Sequence, residues 1–269
     1  MTTIPVYHID AFTTQLFAGN PAAVCPLTEW LADDILLKIA QENNLSETAF
    51  IVPSAEGYHL RWFSPQAEMV LCGHGTLATA FVVFHFLKPH LTKIQFQSLS
   101  GVLTVTRQDT LLTMDFPQVE YSPCSMPDYI IAGLNVKPVE FYRSQKYLAV
   151  LENETQVRHL SLNLNAFSEM DLAGLVVTAK SDDEQYDFVS RYFTPKIPRI
   201  EDAVTGATHC ALAPYWGKRF NKIKLLAKQL SARGGEMHCE LRGDRVFLSG
   251  HAVLYMKGEI LLNPLIEFN

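Results

Sequence analysis

Residues Arg61–Ala80 read RWFSPQAEMVLCGHGTLATA, and this stretch sets the expectations for the whole fold. The residues up to Phe63 are typical of a strand, and Pro65 marks a turn. A Gly-His-Gly loop at Gly73–Gly75 then leads into an apolar segment that predicts a helix from Thr76. The stretch therefore predicts a strand, a turn and a glycine-rich loop that opens into a buried helix.

A second stretch, Arg191–Ala213, reads RYFTPKIPRIEDAVTGATHCALA and repeats this order. The matched positions are Arg61 with Arg191, Phe63 with Phe193, Ser64 with Thr194, Pro65 with Pro195, and the loop Gly73–Thr76 with Thr205–Thr208. Strand and helix patterns on either side also recur in the same order. We therefore expect an α+β fold of two pseudo-symmetric halves, 1–122 with the Gly73 loop and 123–269 with the Gly206 loop. Each half should be a mostly antiparallel sheet wrapped around a central helix, with the active site in the cleft between them.

Composition excludes several classes of protein. The 269 residues are 48% hydrophobic and 19% charged, which is typical of globular proteins. A net charge of -6 and a pI near 5.8 argue against a nucleic-acid partner, because phosphate contacts need clustered Lys and Arg. The stretch Thr76–Leu87 is too short to cross a bilayer, so no membrane association is expected.

The five cysteines are scattered and never spaced as C-x-x-C, which disfavours a disulfide framework or a cysteine-rich zinc site. The first residues, MTTIPVYHIDAF, contain neither a basic leader nor a long apolar core. We therefore expect a reducing, cytoplasmic location and no bound metal. Zinc-protease, serine-hydrolase and P-loop motifs are also missing, and the Gly73–Gly75 loop lacks the third glycine of a dinucleotide fingerprint.

Both loop-to-helix junctions are expected to bind an anion. A helix N-terminus presents unpaired N–H groups and a partial positive charge, and glycine lets the backbone approach a ligand closely. Gly73, Gly75 and Gly206 supply this freedom. A small carboxylate, and an enolate-like intermediate formed from it, would suit such a paired site.

Three residues are candidates for moving a proton. Glu47 stands at the entrance to an apolar strand, where partial loss of solvent would suit general acid–base chemistry. His74 lies inside the first loop, and Asp202 stands just before the second. By contrast, His209 is expected to be buried and hydrogen-bonded. A racemase with two facing thiols is not expected, because Cys72 precedes its loop whereas Cys210 lies inside its helix.

Six segments together resemble the phenazine-biosynthesis PhzF-like family, which shares its fold with diaminopimelate epimerase and proline racemase. They are Asp10–Phe12, Phe17–Val24, Asn44–Phe50, Leu71–Ala78, Glu201–Gly206 and Ser231–Gly235. The resemblance implies a cofactor-free isomerase in which Glu47 shuttles a proton between carbons of a cyclic or enol-type acid. It also implies that His74 and Asp202 assist, that Gly73 and Gly206 hold a small anionic metabolite, and that the protein is a homodimer.

The chain departs from this family at two positions. Ala207, followed by Thr208, stands where the phenazine enzymes carry Ser, so the backbone donor remains but the hydroxyl is retained only if Thr208 supplies it. Cys72 stands where those enzymes tend to have a small residue. Two alternatives therefore stay open: an amino-acid racemase or epimerase that uses Cys72 with Asp202 or Glu47, and a non-catalytic small-acid binding protein.

Overall fold

The computed structural model describes residues 2–197 and 199–262, and its fold is mixed α+β with mostly antiparallel strand pairs. The predicted fold class is therefore confirmed. The chain forms two compact units: the first comprises the described residues of Met1–Asp115 and Ser249–Asn269, and the second comprises Phe116–Leu248. Residues 1, 198 and 263–269, which the sequence-based division includes, lie outside the described residues.

The first unit contains eight consecutive strands and two helices. The strands are β1 (Thr2–Ala11), β2 (Asn20–Pro26), β3 (Glu47–Ser54), β4 (Gly57–Phe63), β5 (Glu68–Met69), β6 (Lys93–Ser98), β7 (Gly101–Gln108) and β8 (Leu111–Pro117). Helix α1 (Asp33–Asn43) connects β2 to β3, and helix α2 (Gly73–Val82) with a π-helical turn (Val83–Leu87) connects β5 to β6. The β2–β3 and β4–β6 pairs are parallel, as the helical crossovers require.

Helix α2 is the central helix of the first unit. It packs against β1, β2 and β3, and its residues from His74 to Ala80 are all buried. A helix that is apolar on every side is stable only inside a core, which explains this position. The helix begins at Gly73 rather than at Thr76, so the glycine-rich segment forms its first turn and Cys72 is its N-cap.

The second unit continues with β9 (Ser122–Pro123) and repeats the order of the first. Its further elements are α3 (Asp128–Gly133), β10 (Glu140–Arg143), β11 (Tyr147–Val150), α4 (Glu154–Arg158), a 3-10 turn (Leu164–Glu169), β12 (Leu175–Lys180), β13 (Phe188–Phe193), β14 (Glu201–Asp202), α5 (Gly206–Phe220), β15 (Lys224–Gln229), β16 (Gly235–Arg242) and β17 (Arg245–Gly250). The β11–β12 and β13–β15 pairs are parallel, in the same places as those of the first unit. Helix α5 packs against β15 and β16, and it begins at Gly206 rather than at Thr208.

The last strand, β18 (Ala252–Leu262), returns to the first unit and pairs antiparallel with β1 along its length. The sequence-based division at 122/123 assigned this strand to the second half. The structure places it with the first unit, because only a long-range strand pairing decides which sheet a terminal strand joins. None of the helices in the described residues is both long and apolar enough to span a membrane.

Strand register shows the duplication residue by residue. Thr48 faces Phe63 across β3 and β4, as Leu175 faces Phe193 across β12 and β13. Phe63 then faces Glu68, and Phe193 faces Glu201. The two halves therefore have equivalent positions that a linear comparison of the sequence could place only approximately.

An equivalent arginine–glutamate ion pair stabilises each half. Arg61 Nε lies 2.7 Å from Glu68 Oε1, and Arg191 Nε lies 2.7 Å from Glu201 Oε1. In each pair a second nitrogen bonds the other carboxylate oxygen, which makes a two-pronged contact of the stronger kind. These side chains hold β5 and β14 at the approach to helices α2 and α5.

Candidate active site

Glu47 and His74 form a largely buried pair in the first unit. Glu47 is the first residue of β3 and His74 is the second residue of α2, so the sheet and the central helix position one side chain each. His74 Nε2 lies 2.9 Å from Glu47 Oε2, and their side chains are 8% and 15% exposed. The structure thus brings together two of the three predicted proton-moving residues.

Two further side chains fix the orientation of His74. The Asn20 side-chain nitrogen lies 3.2 Å from His74 Nδ1, and the Ser46 hydroxyl donates to Asn20 Oδ1 at 3.2 Å. Asn20 thus lies against Nδ1 of the ring, while Nε2 faces the Glu47 carboxylate. Sequence analysis missed Asn20 as a site residue, although it lies in a segment that carries the family resemblance.

The pKa of His74 is raised well above its ordinary value. Burial alone would lower it, but negative charge on Cys72 and Glu47 outweighs that effect. The Cys72 thiol has a raised pKa itself, because it is buried and lies near Glu47. Glu47 is the neighbour in direct contact with His74 Nε2, and its carboxylate favours a proton on His74.

Cys72 is built into the start of α2. Its sulfur accepts a hydrogen bond from the Gly75 N–H at 3.3 Å and lies 3.6 Å from His74 Nδ1. The thiol is 5% exposed, and its raised pKa keeps it protonated. This environment is the opposite of the one that activates a nucleophilic cysteine.

The two glycines of the first turn have different roles. A Cβ atom on Gly75 would lie 2.8 Å from Trp62 and 2.9 Å from the Cys72 sulfur, so only glycine fits there. Its N–H is already bonded to Cys72, which leaves the amide of Gly73 better suited to a ligand. Substrate binding by Gly73 and by Gly75 stays a prediction.

In the second unit, Asp202 belongs to a small hydrogen-bonded loop. Its carboxylate accepts from the Thr205 hydroxyl at 2.5 Å. Gln229, buried in β15, accepts from the Thr205 N–H at 2.9 Å and donates to the Asp202 carbonyl at 2.8 Å. Gln229 thus positions the whole loop, and no local sequence signal marked it because the contact spans more than twenty residues.

The first turn of α5 has no side-chain cap. Thr205 occupies the N-cap position, but its hydroxyl is committed to Asp202. The turn is formed by Gly206, Ala207 and Thr208, whose N–H groups have no intrahelical acceptor. The Thr208 hydroxyl is buried and donates to the Thr205 carbonyl at 2.8 Å, so it does not replace the serine hydroxyl of the phenazine enzymes.

His209 is buried, as expected, but its hydrogen bonding is incomplete. Its Nδ1 lies 2.8 Å from the Thr205 carbonyl, whereas its Nε2 has no partner among the described residues. Burial lowers the pKa of His209 to about 4, so the ring is neutral near pH 7.

Although no metal site was predicted, one group of donors among the described residues has metal-binding geometry. One donor atom each from Glu47, Cys72 and His74 lies within 4.8 Å of the others. A carboxylate, a thiolate and an imidazole are ligands that Zn²⁺ accepts. Here the thiol is protonated and the imidazole is bonded to the carboxylate, which is the arrangement that suits proton transfer.

Comparison with known proteins agrees with the resemblance noted above. The phenazine biosynthesis-like protein family (PhzC-PhzF) matches residues 9–258. A protein of Pseudomonas aeruginosa described as an uncharacterised isomerase is 44% identical over 96% of this chain and 99% of its own length. The crystal structure of a PhzF-family protein from Enterococcus faecalis has a TM-score of 0.93 at 43% identity, covering 97% of this chain and 100% of that one.

A more distant structure shares the fold alone. A probable proline racemase from Agrobacterium radiobacter has a TM-score of 0.62 at 10% identity, covering 98% of this chain and 94% of the other. This similarity confirms the diaminopimelate epimerase-like architecture predicted from the sequence. With its family match, its close relatives and its duplicated fold all in agreement, the chain belongs to the phenazine biosynthesis-like (PhzC-PhzF) family of isomerases.

Proposed function

We propose that this isomerase moves a proton between carbons of a small cyclic or enol-type carboxylic acid, without a cofactor, and that Glu47 carries the proton. The observation that supports this most directly is the 2.9 Å contact between Glu47 and His74 in a largely buried setting. A carboxylate held in this way is oriented by its partner and sheltered from bulk water. Both conditions favour general acid–base catalysis.

The proposed reaction has two proton steps. The Glu47 carboxylate takes a proton from a substrate carbon, and the electron pair of that C–H bond becomes part of an enolate or dienolate. The neutral Glu47 carboxyl then returns the proton to a different carbon of the same molecule. His74 supports both steps, because its Nε2 lies 2.9 Å from the carboxylate and its positive charge opposes the charge of the anionic intermediate.

The second unit supplies features that suit an anionic substrate. The uncapped first turn of α5 offers the N–H groups of Gly206, Ala207 and Thr208, and the dipole of a fifteen-residue helix favours negative charge there. Asp202 is tied to this turn through Thr205. We infer that these groups bind the carboxylate and that Asp202 assists, as the family resemblance implies.

The experiment starts with a thermal-shift screen of cyclic and aromatic carboxylic acids, since a ligand that binds only the native state raises its melting temperature. Deuterium incorporation into a bound acid in D₂O is then followed by NMR. Glu47→Gln should keep the fold and ligand affinity but lower the exchange rate by about 10²- to 10⁴-fold. The exposed Glu56→Gln variant is the matched control. Unchanged exchange in Glu47→Gln would rule out Glu47 as the proton carrier.

The racemase alternative requires a Cys72 thiolate. The 3.6 Å contact with His74 Nδ1 favours it, but burial and the raised pKa of the thiol oppose it. Cys72→Ala separates the two reactions: retained exchange excludes the thiol, and loss of exchange with an intact fold supports the racemase. For a non-catalytic acid-binding protein, Glu47 should turn outward; its 15% exposed side chain, in contact with His74, favours the catalytic proposal.

We also propose that the chain forms a homodimer. The first unit exposes Phe17 and Tyr255 at 69% and 53%, and their rings contact each other at a centroid distance of 5.7 Å. Exposed aromatic pairs of this kind are common at protein interfaces. Light scattering after size-exclusion chromatography measures the assembly directly, and a monomeric mass at micromolar concentration contradicts the proposal.

A further inference from the structure

The ammonium group of Lys146 stands out in the second unit because it is half-buried and has no anionic partner. Lys146 directly precedes β11, and its Nζ lies 5.9 Å from the centroid of the Tyr192 ring. Within residues 2–197 and 199–262, no hydrogen bond or ion pair to this ammonium is found. Taking a cation out of water is unfavourable unless an opposite charge or several acceptors compensate for it.

Three other half-buried cations among the described residues are compensated by carboxylate or carbonyl oxygens. Arg61 and Arg191 each bind a glutamate through two nitrogens. Arg107 donates to two backbone carbonyl oxygens at 2.9 and 2.8 Å. Lys146 differs from these three, since the contact found for its ammonium among the described residues is the face of one aromatic ring.

The strand register shows where this cation lies relative to the acid of the first half. Glu47 faces Ala22 across the parallel pair β2–β3. In the equivalent pair β11–β12, Tyr147 faces Leu175, as Ala23 faces Thr48 in the first half. Lys146, which directly precedes Tyr147, is therefore equivalent to Ala22. Gly174 then stands at the position of Glu47. The acid of one half is thus replaced in the other by glycine, with a lysine on the neighbouring strand.

The surroundings of Lys146 connect it to the Asp202 loop. A Cβ atom on Gly174 would lie 2.6 Å from Tyr192 Cε2, so the ring occupies the space that a side chain at Gly174 would need. Tyr192 faces Asp202 across β13 and β14. Burial lowers the pKa of Lys146, and the nearby Cys210 of α5 opposes that effect. The ammonium thus lies among residues close to the start of α5.

We propose that Lys146 binds the carboxylate of a small organic acid and is the main cationic contact that this isomerase makes with its substrate. The proposal deepens the proposed function, because it rests on the substrate being an anion. The bound carboxylate supplies a negative charge that the described residues do not bring into contact with this ammonium.

The test measures binding of benzoate and its uncharged analogue benzamide by isothermal titration. Lys146→Met removes the charge and keeps the length of the side chain, so benzoate affinity should fall about tenfold or more while benzamide affinity stays the same. Lys146→Arg should retain most of the benzoate affinity. The matched control is Lys228→Met, whose ammonium lies over Tyr186 in the same unit and faces Glu236 across the sheet. Equal benzoate affinity in Lys146→Met and the natural protein overturns the proposal, as does an equal loss for benzamide.

A second measurement needs no variant. Limited acylation of the natural protein with acetic anhydride, read out by peptide mass spectrometry, should modify Lys146, and millimolar benzoate should protect it but not Lys228. Absence of protection contradicts the proposal. Failure of the proposed function looks different: Glu47→Gln would then keep deuterium exchange while Lys146 still bound benzoate.

Discussion

The two halves of the chain share one strand order and one ion-pair brace, yet they place different chemistry at equivalent positions. The first half has Glu47 at the start of β3 and Cys72 as the cap of its central helix. The second half has Gly174 and Thr205 at the same two positions. The duplicated halves therefore share a backbone arrangement, while the proposed proton carrier lies in the first half and the proposed carboxylate-binding groups lie in the second.

This difference also explains why a two-thiol mechanism does not apply. Thr205 holds the position of Cys72, and its hydroxyl is bonded to Asp202. Cys210 lies one turn farther along α5, where burial raises the pKa of its thiol to about 12. Burial thus raises the pKa of both Cys72 and Cys210, which opposes a thiolate at either position.

The largest expected effect is on the rate of deuterium exchange, and it distinguishes Glu47 from Asp202. Glu47→Gln should lower exchange about 10²- to 10⁴-fold, as stated above, because it removes the proton carrier. Asp202→Asn should lower exchange less, by about tenfold, because it weakens one hydrogen bond to Thr205 and leaves Glu47 intact. Initial rates of deuterium incorporation compare the variants, and an equal loss in both would mean that the acids share the proton.

The next effect concerns stability at the position equivalent to Glu47. Gly174→Ala should lower the free energy of unfolding by about 3 kcal/mol, because the new Cβ would lie 2.4 Å from the Phe193 carbonyl oxygen. Gly258→Ala is the matched control, since its nearest neighbour would be Val6 at 3.9 Å. Urea unfolding measures both, and a fully stable Gly174→Ala variant would show that the second half can accept a side chain there.

A third comparison uses two histidines with opposite pKa shifts. The pKa of His209 falls from 6.5 to about 4 on burial, so its contribution to stability is present above about pH 6.5 and is lost as pH falls toward 4. The pKa of His74 is raised, so its contribution is present below about pH 6.5 and is lost as pH rises through the folded value.

The measurement is the free energy of unfolding in urea from about pH 5 to pH 9. On the acid side, the loss of unfolding free energy with falling pH should be about 2 kcal/mol smaller in His209→Gln than in the natural protein. On the neutral-to-alkaline side, the loss with rising pH should be smaller in His74→Gln. An unchanged acid limb in His209→Gln would show that the ring is not neutral in the folded protein.

The smallest expected effect is on stability, and it compares the Arg61–Glu68 ion pair with the Arg191–Glu201 ion pair. Arg61→Lys should lower the free energy of unfolding by about 1 kcal/mol, because the bidentate contact with Glu68 is lost. Arg191→Lys should cost somewhat more, since Arg191 also donates to the Val157 and Leu160 carbonyls at 3.2 and 3.0 Å. The further partner of Arg61 is the exposed Asp33 at 2.9 Å, and exposed ion pairs contribute little. Melting temperatures rank the two variants, and equal shifts would show that the extra carbonyl contacts add nothing.

Much of the fold followed from local patterns. Alternating strands, the apolar segment after Gly75 and the repeated Arg-x-Phe-Ser/Thr-Pro pattern predicted two halves with central helices, because each pattern reflects how a single element buries one face. The helix starts were placed three residues too late at Gly73 and two too late at Gly206. Glycine is a poor helix former, so its presence at N1 depends on packing such as that of Gly75 against Trp62.

The sequence by itself determined the α+β class, the duplication and the identity of Glu47, His74 and Asp202 as residues of interest. Only the tertiary structure decided that Glu47 bonds His74, that Asn20 orients the ring, and that Gln229 holds the Asp202 loop. It also decided that β18 joins the first unit and that the Lys146 ammonium lies over the ring of Tyr192. The physical reason is the same in each case: periodicity records which face of an element is buried, whereas a contact between distant residues depends on strand register and helix placement.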